Sequence, residues 1–228
     1  MTMTKQIPDT FKKLELAVPD SSRLFFASDT HFGHLKLTSG YPEHFERTRK
    51  YVTTDEMDAD IVKCWNETVS PEDFVVFLGD LQMCVPYKER VQRARERLAS
   101  LNGQKFLLRG NHDELISEQP EFGYFHYAVV TWRGRTYLCQ HHPFGKAAGA
   151  NPYFLNALKD TLEPGKTVLV HGHTHSELKY SAVGRNDFKL QNNVSWEVAY
   201  APIPAEELTL SDRTYVGMCE GHQVVGMV

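Results

Sequence analysis

Short apolar runs recur along the chain, and each is followed by small, polar or ionisable residues. RLFFAS (Arg23 to Ser28), FVVFL (Phe74 to Leu78), KFLLR (Lys105 to Arg109) and TVLV (Thr167 to Val170) have the length and apolar content of buried strands. Met57, Ile61, Trp65 and Val69 recur at helical spacing. Thr53 with Glu56 predicts a capping box at the start of that helix, and Ser70-Pro71 its end. A second helix is expected from Pro86, with Tyr87, Val91, Ala94, Leu98 and Leu101 on one face and a stop at Asn102-Gly103. YAVVTW and TYLCQ flank Arg133-Gly134-Arg135 in the pattern of a β-hairpin. A helix from about Asn151 to Thr161 should precede TVLV, and NVSWEV (Asn193 to Val198) reads as the last core strand. Strands alternate with helices first and pair as a hairpin later, which predicts a mixed α/β architecture.

Composition narrows the class without naming the chemistry. The chain has 228 residues, 41% hydrophobic and 24% charged, enough for one sizeable domain. A formal net charge of -4 gives no general attraction for nucleic acid or anionic membrane. The opening MTMTKQIPDTFKK has no apolar stretch of signal-peptide type, and no run of about 18 apolar residues predicts a membrane span. Cys64, Cys84, Cys139 and Cys219 are scattered, with no CxxC pair. That pattern suits a reducing compartment, so a cytoplasmic protein is expected.

Polar, metal-capable residues gather just behind the apolar runs. Ser28-Asp29-Thr30-His31 follows RLFFA, Gly79-Asp80 follows FVVFL, and Gly110-Asn111-His112-Asp113 follows KFLLR. His141-His142-Pro143 follows TYLCQ, and His171-Gly172-His173-Thr174-His175 closes TVLV. Ligand sites in open α/β sheets lie beyond the carboxyl ends of strands, so these loops can converge. One imidazole at a sheet edge is usually just a satisfied polar residue, but clustered His and Asp suggest a metal site. The glycines at 79, 110 and 172 are expected to permit sharp turns.

The series Asp29-x-His31, Gly79-Asp80, Gly110-Asn111-His112-Asp113, His141 and Gly172-His173-x-His175 resembles the calcineurin-like metallophosphoesterases, over about Arg23 to Glu207. SDTHFGH, CWNETV before FVVFLGDL, and the later HHP place the resemblance in a small single-domain branch. It implies an α/β (α+β) fold, a four-layer α/β/β/α sandwich of two mixed sheets. The tail from Leu208 to Val228 would be an extension, with weak alternation compatible with an extra strand or a subunit contact.

The resemblance also implies two divalent ions. Asp29, His31 and His175 would hold one, Asn111, His141 and His173 the other, and Asp80 would bridge both. A bridging carboxylate lets two dications sit about 3.5–4 Å apart, polarising one phosphate and sharing one hydroxide. Oxygen and imidazole ligands suit Mn²⁺, Fe or Zn²⁺ without selecting among them, and the resemblance points to Mn²⁺, with Zn²⁺, Fe or Ni²⁺ as alternatives. His112 matches the family's catalytic histidine, which stabilises developing charge or protonates the leaving oxygen. His34 either touches the substrate phosphate or orients a ligand. Arg109, in LLRGNHD, either contacts phosphate or sits in a surface ion pair. His141 rather than His142 is the expected ligand on the family pattern, His142 pointing away if the strand continues. His171 would support the ligands from behind, and His44 would lie at the surface.

These readings lead to a metal-dependent phosphoester hydrolase, first of all a phosphodiesterase on a small or nucleotide substrate. Phosphomonoester hydrolysis, including that of phosphoproteins, and nuclease action are the enzymatic alternatives. The nuclease is favoured only by Lys88, Arg90, Arg93, Arg95 and Arg97 on the second helix, which reads better as a solvated face. A metal-free interaction module on the same fold is the remaining alternative, and it has no use for so many ligand candidates.

Overall fold

Alternation decides which layer each strand faces. The computed structural model describes residues 11–83, 86–144, 163–183, 189–211, 217–219 and 222–224. In β2 (Leu24–Ala27), Leu24 and Phe26 face one core while Phe25 and Ala27 face another. Strand β3 (Phe74–Phe77) divides in the same way, with Val76 on the first side and Val75 and Phe77 on the second. With β4 (Gln104–Leu107) these strands form a parallel set, and β10 (Ile203–Pro204) pairs antiparallel with β2 at the edge.

The larger sheet has the order β1-β5-β6-β7-β9-β8. Its members are β1 (Lys13–Ala17), β5 (Tyr127–Trp132), β6 (Arg135–Gln140), β7 (Thr167–His171), β8 (Tyr180–Val183) and β9 (Lys189–Asn193). Pairings are parallel for β1–β5, β6–β7 and β7–β9 and antiparallel for β5–β6 and β8–β9, so this sheet is mixed. The β5–β6 hairpin turns through Arg133 and Gly134, both at positive φ (45° and 72°), as a two-residue turn of matching twist requires.

The core between the sheets joins Leu24, Phe26, Val76 and Leu78 to Val130, Trp132, Tyr137, Val168 and Val170. Helices cover the other face of the smaller sheet. Helix α1 (Thr54–Thr68) starts at the expected capping box, with Thr53 accepting from the Glu56 N–H, and buries Met57, Ile61 and Trp65. Helix α2 (Arg90–Ser100) follows a turn of 3-10 helix at Tyr87–Glu89 and buries Ala94. Arg97 holds α2 to Asp58 at 2.7 Å, and Asp58 also accepts from the Gly33 N–H beside the ligand loops. The outer face of the larger sheet carries Tyr127, Leu138, Leu169 and Phe144. The helix expected from about Asn151 to Thr161 lies outside the described residues.

NVSWEV is not a strand. Strand β9 ends at Asn193, and Trp196–Val198 is a turn of 3-10 helix. The chain must cross layers here: Val194 enters the core between the sheets, while Trp196 stacks 6.5 Å from Trp65 on the helix side. Beyond the core, β11 (Gly217–Cys219) and β12 (His222–Val224) pair antiparallel within the C-terminal extension. No helix among the described residues is long and apolar enough to cross a membrane.

Candidate metal centre

Loops from both sheets meet where their strands end. The loop after β2 runs beside the loop after β3, joined by Asp29 N–H to Gly79 C=O (2.9 Å) and His31 N–H to Asp80 C=O (3.0 Å). The loop after β7 joins the end of β6 through Gly172 N–H to His141 C=O at 2.9 Å. Asp29, His31, Asp80, His173 and His175 all have left-handed backbones, with φ between 47° and 71°. Each such residue costs on the order of 1–3 kcal/mol, and surrounding structure must hold it there. Strain at five of the seven ligand candidates marks a functional site better than any one residue could.

The glycines serve two different needs. Gly79 has φ 102° and makes a sharp turn, as expected. Gly110 and Gly172 have no positive φ and are needed for close approach instead. A Cβ on Gly110 would fall 2.2 Å from Asp80 Oδ1, and one on Gly172 would fall 2.1 Å from Ser28 Oγ.

The side chains converge as two groups with Asp80 between them. In the first, His31 Nε2 lies 3.0 Å from His175 Nε2, and Asp29 Oδ1 lies 3.8 and 3.7 Å from these two nitrogens. In the second, Asn111 Oδ1 lies 2.9 Å from both His141 Nε2 and His173 Nδ1, which are 3.2 Å apart. Asp80 Oδ2 stands 3.5 Å from His31 Nε2 and 3.4 Å from His141 Nε2. His173 and His175 therefore face different groups.

The donor set fits divalent cations. Asp29 Oδ1 is buried without a hydrogen-bond partner, an arrangement that costs free energy unless a cation compensates it. The ring nitrogens stand beside carboxylate and amide oxygens, and among the described residues no thiolate joins them. Burial, then the charges of His175 and Arg49, hold His31 well below its ordinary range, so it is the neutral imidazole that ligation needs. His175 is shifted upward: burial opposes this, but the Glu197 hydrogen bond and the Asp29 charge outweigh it.

Supporting groups lock these ligands. His175 Nδ1 donates to Glu197 Oε1 at 2.8 Å, fixing the tautomer that leaves Nε2 free for a cation. Arg49, 3% exposed, donates to the same oxygen and to the backbone carbonyls of Asp29 and Thr30. Asp113 is fully buried and accepts from the N–H groups of Asp80, Leu81 and Gly110, knitting two ligand loops. Sequence reasoning assigned no role to these three residues. Only Asp113 carried a signal, as the last residue of GNHD.

The remaining candidates are distributed as follows. The His112 backbone N–H donates to Asp80 Oδ1 at 2.8 Å, and its ring lies 5.4 Å from that of His31. His34 lines the same cleft, and burial holds it down at about 4, with the charges of His112 and His175 adding to that. His171 is buried and donates from Nδ1 to the Gly172 carbonyl, so it props the turn rather than a ligand ring. His142 does not point away from the cluster. Strand β6 ends at Gln140, alternation stops, and the His142 ring packs 4.3 Å from that of His173. Arg109 is exposed, its backbone bonded to Phe125, and it is not among the residues lining the cleft. His44 is exposed.

Two sheets with an Asp, His and Asn cluster at their strand ends define a scaffold that can gather divalent cations. The family model for calcineurin-like phosphoesterases matches residues 22–209. The uncharacterised protein MJ1445 of Methanocaldococcus jannaschii is 30% identical over 182 residues, covering 79% of this chain and 86% of its own. The gene 66 protein of Mycobacterium phage D29 is 28% identical over 176 residues, covering 69% and 80%. The crystal structure of AQ665 from Aquifex aeolicus, a protein of unknown function, superimposes with TM-score 0.58 at 22% identity. It covers 82% of this chain and 97% of its own, a likeness of fold alone. The chain belongs to the calcineurin-like phosphoesterases, whose members hydrolyse phosphoesters with divalent metals.

Proposed function

We propose that the protein is a phosphodiesterase acting on a small or nucleotide substrate with two divalent ions. The observation that carries this reading is the position of Asp80 Oδ2, 3.5 and 3.4 Å from one imidazole nitrogen of each group. Asp29, His31 and His175 would hold one ion, Asn111, His141 and His173 the other, and Asp80 both. When bound, the pair supplies Lewis acidity toward the phosphate oxygens and an activated water. Mn²⁺ suits this oxygen and imidazole set, with Zn²⁺, Fe or Ni²⁺ as alternatives.

The chain's own residues supply the rest. His112 stands on the cleft side of the ligands and protonates the leaving oxygen, the usual task of a positioned imidazole. His34, kept neutral, hydrogen-bonds the phosphate. The charge of the cleft favours a monoanion: its lining carries Arg47 together with Glu46 and Glu177, and the Arg49 guanidinium is already engaged by Glu197. A phosphomonoester dianion would need more cationic contacts than this, and Arg109 stands outside the lining.

The basic helix offers little to a nucleic acid. Arg93 pairs with Glu89, Arg95 with Glu121 and Arg97 with Asp58. A cytoplasmic setting fits the free thiols of Cys64 and Cys139. The test compares bis(p-nitrophenyl) phosphate with p-nitrophenyl phosphate in the presence of Mn²⁺. The diester should show the higher kcat/KM, and a clear preference for the monoester would reject the diesterase.

A further inference from the structure

The cleft above the ligands is larger than a phosphate requires, about 1470 Å³. The buried His31 and the half-buried His175 line it beside the exposed His112, and two separate loops supply most of the rest of its lining. One loop carries Phe45 and the other Leu178. These are two of the four exposed large hydrophobic side chains among the described residues, at 46% and 43%. Leu37 and Tyr200 continue the apolar lining.

Both loops are held in place. Phe45 N–H donates to the Lys36 carbonyl at 2.9 Å and Arg49 N–H to that of Leu37 at 2.8 Å. The Leu178 carbonyl accepts from Asn193 Nδ2 at 3.1 Å. The Phe45 ring meets His34 edge-on at 5.7 Å, which ties its loop to the phosphate end of the cleft. The part of Phe45 and Leu178 left exposed on the cleft, more than two fifths of each, gains nothing for folding because it stays in water.

We infer that Phe45 and Leu178 form a subsite for a nucleobase, so that the substrate is a nucleotide diester whose phosphate lies at the ligands and whose base stacks on Phe45. This rests on the phosphodiesterase reading and deepens it. Two observations select a nucleoside over other ester groups. The Phe45 ring is 46% exposed, with the Lys36 ammonium 5.9 Å from its centroid, and any base can stack on an aromatic face left open in this way. Glu46, Arg47 and Glu177 line the same cleft: the carboxylates accept hydrogen bonds from the amino and hydroxyl groups of a nucleoside, and the guanidinium donates to its ring nitrogens and carbonyls. An alkyl chain would use the apolar surface and leave both carboxylates unanswered.

The test is a set of calorimetric titrations of the Mn²⁺-loaded protein with adenosine 5′-monophosphate, methyl phosphate and hexyl phosphate. All three carry the same phosphate, so the contribution of the ligand cluster cancels between them. The nucleotide should bind at least about tenfold more tightly than methyl phosphate, the usual worth of one stacked base. Phe45→Ala should erase most of that advantage and Phe45→Trp should keep it. The subsite is overturned by equal binding of nucleotide and methyl phosphate, by an advantage that survives Phe45→Ala, or by hexyl phosphate matching the nucleotide. Because the readout is binding, it stands apart from the turnover assay on bis(p-nitrophenyl) phosphate: failure there rejects the diesterase and leaves the binding result to be read on its own.

Discussion

His175 and Glu197 are joined by a 2.8 Å hydrogen bond from Nδ1 to Oε1, and the same carboxylate oxygen holds the buried Arg49 at 2.8 Å. Arg49 in turn grips the Asp29 and Thr30 carbonyls. One carboxylate thus orients a ligand from β7 and anchors the loop that carries two ligands from β2. Glu197→Ala should weaken metal binding about 10–100-fold, as the loss of a ligand's supporting partner does, with the first group affected most. Titration of the metal-free protein with Mn²⁺ reads this. Unchanged affinity would mean that Glu197 only packs.

The same pair gives a pH dependence. Burial alone would raise the Glu197 carboxyl, but the Arg49 charge and the His175 hydrogen bond outweigh it and hold it at about 2. A carboxyl depressed in the folded state stabilises above its unfolded value, here 4.5, and that stability disappears as pH falls toward 2. The contribution is about 3 kcal/mol at neutral pH. In metal-stripped protein, the urea midpoint of the parent should fall more steeply between pH 6 and pH 3 than that of Glu197→Gln. Parallel slopes would contradict the pairing.

Gly172→Ala tests close approach. The added Cβ would fall 2.1 Å from Ser28 Oγ and 2.6 Å from Asp29 Oδ2, so the loop bearing His173 and His175 must move. Overpacking of this kind costs about 1–3 kcal/mol. The variant should melt several degrees lower and lose metal by elemental analysis. A variant with full metal content would show that the loop has slack.

How much of this was legible in the sequence depended on local pattern. The ligand candidates stood out because Asp80, Asn111, His173 and His175 sit in short glycine-containing motifs behind apolar strands. Arg49 and Glu197 did not, since each is a lone charge in a segment without a motif, and their partnership spans 148 residues. Edge strands were missed for a different reason. Strand β1 does alternate, Leu14 and Leu16 against Lys13 and Glu15, but it spans only five residues of which one is fully buried, and β10, two residues long, can show no period. NVSWEV misled because its apolar residues serve two layers rather than one strand face. His142 would have pointed away had β6 continued through it, but the strand ends two residues earlier, at Gln140.

His112→Ala should separate chemistry from binding. Its ring lies among the cleft residues and is not one of the His and Asp side chains that gather closely enough to share an ion. Turnover should drop about a hundredfold or more, the usual worth of a positioned acid, with metal content unchanged. Loss of metal in step with activity would make His112 a ligand.

The proposed two-ion centre turns on Asp80, whose Oδ2 lies within 3.5 Å of an imidazole nitrogen in each group. The most direct measurement is the metal-to-protein ratio of purified parent, Asp80→Asn and His175→Ala after equilibration with Mn²⁺. The parent should hold two ions, His175→Ala should lose mainly one, and Asp80→Asn should be depleted at both sites. Full occupancy in Asp80→Asn, or a parent that holds a single ion, would contradict the bridging centre.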